Sequence, residues 1–113
     1  MYYKLATAAA KWWCKEIKNR YRKLHFGEIT TSFEEKVSLF EQVLISEIHQ
    51  QLENFHYITI GCYYFPDKTL SKIAQKADLD KFYLPAHAHL EIINGSILVS
   101  LGYDDPYKLN INL

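Results

Sequence analysis

The chain has 113 residues, enough for one hydrophobic core and too few for two. Its apolar fraction of 49% and aromatic fraction of 15% exclude a disordered polypeptide. The net charge is zero but unevenly spread: residues 1–25 carry seven basic side chains against Glu16 alone, whereas residues 26–113 carry six basic and twelve acidic ones. Nine tyrosines are many for this length. Tyrosine buries its ring while keeping its hydroxyl wet, so a Tyr-rich small domain is suited to offering aromatic surface to a partner.

A first helix is expected from Leu5 to Leu24, because Leu5, Ala9, Trp12, Trp13, Ile17, Tyr21 and Leu24 recur at helical spacing. The basic residues fill its other side, and Gly27 provides a stop. Whether both tryptophans are internal stays open, since one of two adjacent helix residues can point outward to a homodimer partner. A second helix opens at Ser32, with Ser32 and Glu35 read as a capping box. Phe33, Val37, Phe40, Leu44, Ile48 and Leu52 then form its apolar stripe, and Asn54 ends it.

Residues 56–64, HYITIGCYY, read as a strand from their β-branched and aromatic content. Alternation puts Ile58, Ile60, Cys62 and Tyr64 on one face and Tyr57, Thr59 and Tyr63 on the other. Pro66 breaks the strand, and Asp67 caps a short third helix running to about Ala77, with a loop from Asp78 to Pro85. Asn94-Gly95 is the favoured pair for a two-residue type I′ hairpin. That turn fixes the register: Ile92 opposes Ile97, Leu90 opposes Val99, Ala88 opposes Leu101 and Ala86 opposes Tyr103, all on the core face. Glu91, His89 and His87 then share the other face with Leu98, Ser100 and Gly102. Tyr107, Leu109, Ile111 and Leu113 alternate again, as a short further strand or a packed tail. The sum is a single α+β domain over residues 1–113 in α-α-β-α-β-β order: a small antiparallel sheet with a C-terminal β-hairpin, and helices packed on one face.

Few motifs carry chemistry. His87 and His89 with Glu91 have the spacing of strand-borne metal ligands. The three diverge along one line, however, and His25, His49 and His56 lie on other elements, so no metal site and no cofactor is expected. There is no phosphate-binding loop, CxxC pair or nucleophile elbow. Cys14 has Lys15 and Lys18 nearby but no histidine placed beside it, so Cys14 and Cys62 read as free, buried thiols of a cytoplasmic protein. Asp104-Asp105 reads as a strand terminator rather than an acid/base pair. The N-terminus lacks the apolar region of a signal peptide, and no run reaches the length of a membrane span.

The order of Trp12-Trp13, then Tyr64-Phe65-Pro66-Asp67-(x)2-Leu70-(x)3-Ala74-(x)2-Ala77-x-Leu79, Leu84-Pro85, Gly95 and Gly102-Tyr103-(x)2-Pro106 resembles a group of small proteins. These are encoded by phages and integrative elements of Firmicutes, most of them of unknown function. Where that group carries Thr and Met, this chain has His87-Ala88-His89. The resemblance implies a mobile-element origin, no catalytic residues and a place in the cytoplasm of a host bacterial cell. By analogy with other small phage proteins it also suggests an inhibitor of host defence, anti-CRISPR proteins being one such kind.

The expected function is therefore stoichiometric binding of a host protein, such as a CRISPR or other defence nuclease, and not catalysis. The expected contact residues are Lys11, Lys15, Lys18 and Arg22 on the first helix, Tyr57 and Tyr63 on the sheet, and Glu34 and Glu41 on the second helix, with Tyr2, Tyr3 and Glu53 as neighbours. The alternative is nucleic-acid binding through Lys11, Lys15, Lys18 and Arg22. A metal-dependent enzyme at His87 and His89 comes last.

Overall fold

A computed structural model describes residues 2–111; the expectation placed on Leu113 lies outside the described residues. Helix α1 (Tyr2–Leu24) is followed by α2 (Thr31–Asn54), β1 (Tyr57–Tyr63), β2 (Phe65–Pro66) and α3 (Lys68–Lys76). A single 3-10 turn, Lys81–Tyr83, then leads into β3 (His87–Ile93), β4 (Ser96–Leu101) and β5 (Tyr107–Lys108). The strands form one antiparallel sheet in the order β2-β1-β3-β4-β5. The fold class is α+β with the helices on one sheet face, as the sequence pattern requires.

Cross-strand partners share a face. Ile58, Ile60 and Cys62 on β1, Ala88, Leu90 and Ile92 on β3, and Ile97 and Val99 on β4 are all buried. They meet Trp13, Ile17, Phe40, Leu44, Ile48, Leu70 and Ile73 from the helices in one continuous core. Both tryptophans lie inside it, edge to face with ring centroids 5.0 Å apart. Trp12 Nε1 donates to the Tyr107 hydroxyl at 3.2 Å, whereas Trp13 Nε1 is buried without an acceptor. Neither ring is left for a dimer partner.

The hairpin forms as expected. Asn94 and Gly95 adopt φ 51° and 76°, and Ile92↔Ile97, Leu90↔Val99 and Ala88↔Leu101 face each other. The expected pairing of Ala86 with Tyr103 in the core does not occur. Gly102 takes φ 65° and turns the chain out of the ladder, after its N–H has donated to His87 C=O at 2.8 Å. Both Ala86 and Tyr103 are exposed.

Other boundaries shift for local reasons. The N-cap of α2 is Thr30, whose Oγ1 accepts from Phe33 N–H at 3.1 Å, so Ser32 and Glu35 lie within the helix and form no capping box. Capping at Thr30 lets Ile29 and Phe33 both pack against the core. Asp67 caps α3 as expected, accepting from Leu70 N–H through Oδ1 at 2.9 Å. Its Oδ2 also accepts from Gly61 N–H at 2.8 Å, tying the helix start to β1. The stripe of α1 ends at Tyr21, leaving Leu24 exposed. Gly27 N–H does close the helix by donating to Arg22 C=O at 2.8 Å, but the left-handed residue ahead of it is Phe26, at φ 58°.

A bulky side chain in that backbone region costs about 1–2 kcal/mol, and the Phe26 ring is 98% exposed. Phe26→Gly is therefore expected to raise stability by about 1 kcal/mol, read as a higher urea midpoint with unchanged slope.

Both cysteines are free and buried. Burial pushes the Cys14 thiol up to about 12, with Glu41 adding to the rise and Lys18 and Lys11 opposing it. Burial likewise raises Cys62. The unfolded chain ionises Cys14 from its ordinary value of 9.0, while the native thiol stays neutral until about 12. This contribution is thus complete below pH 9.0 and is lost as pH climbs toward 12. Above pH 9.0 the urea midpoint is expected to fall more steeply in the native chain than in Cys14→Ala.

Candidate binding surface on the open sheet face

No helix among the described residues covers the second face of the sheet. Tyr57, Thr59, Gly61 and Tyr63 from β1 lie there beside Ile93, Glu91, His89 and His87 from β3, partner for partner. Leu98 and Ser100 from β4 complete it. Several of its aromatic side chains stand in solvent: Tyr57 is 50% exposed, Tyr63 57% and Phe65 82%.

At one end the rings converge on His87. Tyr64 stands at 4.7 Å from it, Tyr103 at 5.0 Å and Tyr63 at 5.5 Å, centroid to centroid. His87 Nε2 lies beneath them, shielded from solvent and with no hydrogen-bond partner among the described residues. Two turns assemble the cluster. The chain reverses at Tyr64, which takes φ 66° and donates its N–H to Ala86 C=O, and Phe65 folds back beside Tyr63. The turn at Gly102 delivers Tyr103 from the other side. Strict alternation placed Tyr64 with Ile58, Ile60 and Cys62; the reversal carries its ring to the opposite face.

The cluster continues along β3. His89 lies tilted against Tyr63 at 6.1 Å and places Nδ1 3.5 Å from Glu91 Oε1. Gly61 makes room for it: a Cβ there would sit 3.1 Å from His89 Cδ2. Partial desolvation raises the Tyr57 hydroxyl, with the neighbouring Glu91 carboxylate adding to it. The Tyr103 hydroxyl beside it raises Tyr64. Asp104 and Asp105, both exposed, follow Tyr103 directly and pair with no cation among the described residues. The array therefore consists of aromatic rings with an acidic rim. Among the described residues no three His, Cys, Asp or Glu side chains converge to hold a metal ion.

The expected contact residues scatter. Tyr57 and Tyr63 belong to this face. Lys11 lies 3.9 Å from Glu41 and Lys18 3.4 Å from Glu34, so α1 and α2 run antiparallel with their opposite charges facing. The cationic stripe is thereby halved, and Glu34 and Glu41 face α1 instead of forming a separate acidic edge. Glu53 lies 3.2 Å from His49. Lys15 remains exposed, and Arg22 donates to Asn19 Oδ1 at 3.3 Å. Tyr2 and Tyr3 are exposed at the start of α1. Sequence reasoning missed Tyr64, Phe65 and Tyr103. Their signal was the placement of three aromatics beside Pro66 and Gly102, where a chain reversal frees a ring from the core.

No helix among the described residues is long and apolar enough to cross a membrane. No family model, curated protein or solved structure matches the chain.

Proposed function

We propose that the protein works by binding, with the open sheet face docked on a cationic surface of a protein partner. The observation that carries this reading is Tyr64. Its backbone sits in the left-handed region, where glycine would be easier, yet a tyrosine stands there with its ring 68% exposed over His87. The core gains nothing from that ring. Unlike Phe26, which meets no other ring among the described residues, Tyr64 joins Tyr63 and Tyr103 around His87, so the strained backbone serves a shared exposed cluster. Tyrosines are also the residues on which protein interfaces concentrate their binding energy.

The rim argues for the sign of the partner. Asp104, Asp105 and Glu91 repel phosphate and attract Lys- or Arg-rich protein. A nucleic acid stacking on these rings would need cations alongside them, and Lys108 at the far edge is the sheet's sole described lysine or arginine. The alternative reading through α1 is weakened because Lys11 and Lys18 already face acids. The resemblance to mobile-element proteins extends the proposal one step further. A host defence nuclease, whose nucleic-acid channel is cationic, is a partner of the right charge, and the protein would act on it as a stoichiometric inhibitor.

The test is capture from nuclease-treated bacterial lysate with two baits, the native chain and Tyr64→Gly/Tyr103→Ser. A basic protein held in stoichiometric amount by the first and absent from the second supports the reading. Equal capture by both, or a gel shift of nucleic acid that Lys15→Glu/Arg22→Glu abolishes, overturns it.

A further inference from the structure

The outer edge of β1 is only partly covered. Gly61 fixes the direction of its backbone groups: its N–H donates to Asp67 Oδ2 at 2.8 Å and its C=O accepts from Asp67 N–H at 3.0 Å. Those groups therefore point away from β3. Strand hydrogen-bonding directions repeat every second residue, so the N–H and C=O of Thr59 and Tyr57 point the same way. β2 reaches only Cys62 and Tyr63, and no described residue bonds the four outward groups of Tyr57 and Thr59.

Exposed edges are usually guarded by charge, proline or a bulge. Here residues 55–65 contain no Lys, Arg, Asp, Glu or Pro. Thr59 and Tyr57 are exposed, and Phe55 beside them is 61% exposed.

We infer that a second copy of this chain covers this edge, β1 against β1, antiparallel about a twofold axis at Ile58. The pattern of free groups selects that register. Centred on Ile58, Tyr57 of each copy pairs with Thr59 of the other, and all four free groups on each side are used. Centring on Thr59 would set Tyr57 against Gly61, whose groups are already held by Asp67. Centring on Tyr57 would set Thr59 against Phe55, whose N–H already donates to Gln51 C=O at 2.8 Å. The edge thus matches itself in one register, as a closed twofold interface requires. Absence of charge along it removes like-charge repulsion between the copies. The two sheets join with their open faces on one side, so a dimer carries two sets of Tyr63, Tyr64 and Tyr103 on a single surface. This inference does not depend on the partner reading above.

Sedimentation velocity from low micromolar to millimolar concentration tests it. A short edge makes a small interface, so the native chain is expected to pass from its 13.3 kDa monomer to twice that mass as concentration rises. Thr59→Pro removes an N–H that the monomer does not use, at an edge position that accepts proline. Tyr57→Lys/Thr59→Lys sets cations opposite each other without altering the backbone. Both variants are expected to remain monomeric with native circular dichroism; should Thr59→Pro fail to fold, the lysine pair decides alone. A single monomer mass for the native chain throughout the range overturns the inference. So does a dimer that survives the lysine pair.

Discussion

Trp13→Ala is expected to lower stability by about 3–5 kcal/mol, the range for truncating a large aromatic in a packed core. Domains of this size have about 5–15 kcal/mol in total, so the variant should be partly unfolded under mild conditions. Trp13 is fully buried in the core that α1, α2 and the sheet share, and stands edge to face with Trp12. The core has little slack to fill the resulting space, since Ile17 and Phe40, which share it, are themselves fully buried. A second substitution separates volume from polarity. Trp13 Nε1 has no acceptor, and a buried unsatisfied donor costs about 1–3 kcal/mol. Trp13→Phe removes that donor along with part of the ring, so its loss should be less than half that of Trp13→Ala. Trp12→Phe instead deletes a real hydrogen bond, to the half-exposed Tyr107, whose hydroxyl can turn to water. Urea unfolding followed by far-ultraviolet circular dichroism orders the three.

Tyr64→Gly is expected to move stability and binding in opposite directions. The native backbone at Tyr64 has φ 66°, which glycine adopts freely, so stability should stay level or rise by up to about 1 kcal/mol. Binding loses a central ring of the exposed cluster. Truncating such an anchor typically costs about 2 kcal/mol or more, roughly a thirtyfold weaker complex. Adding Tyr103→Ser should deepen the loss, though less than additively, since both rings pack on His87. A side chain kept only for the fold would show the reverse: lower stability and unchanged binding. Titration calorimetry with the captured partner, beside a urea melt of each variant, reads both quantities.

Those two residues also mark what could and could not be read from the chain. The apolar face of α1 was legible from the helical spacing of Leu5, Ala9, Ile17 and Tyr21. Whether Trp12 and Trp13 were both internal was not, since adjacent residues point about 100° apart; the structure buries both. The hairpin was legible because Asn94 and Gly95 tolerate positive φ, and one turn then orders every pair from Ile92↔Ile97 to Ala88↔Leu101. Tyr64 was not, because positive φ in a tyrosine has no signature of its own and Pro66, two residues on, was read only as the strand's end; strict alternation sent the ring into the core. Tyr103 was misplaced for a related reason, since Gly102 could equally continue a strand or end it. Thr30 and Ser32 are both competent caps, and only the packing of Ile29 and Phe33 chooses between them. The basic stripe of α1 was plain in the sequence. Its meeting with Glu34 and Glu41 depends on how two helices face each other, which no local pattern encodes. Tyr57 and Tyr63 followed from alternation, and His87, His89 and Glu91 from the hairpin register; Tyr64, Phe65 and Tyr103, which give the surface its shape, came from two reversals.

One experiment bears most directly on the claim that the open sheet face is the working surface. The partner captured by the native chain is titrated against three forms: native, Tyr64→Gly, and Lys15→Glu/Arg22→Glu. Affinity is expected to fall about thirtyfold or more for Tyr64→Gly and to stay near native for the α1 variant. Native affinity in Tyr64→Gly, with the loss appearing in the α1 variant instead, would contradict the account and move the binding surface to the basic helix.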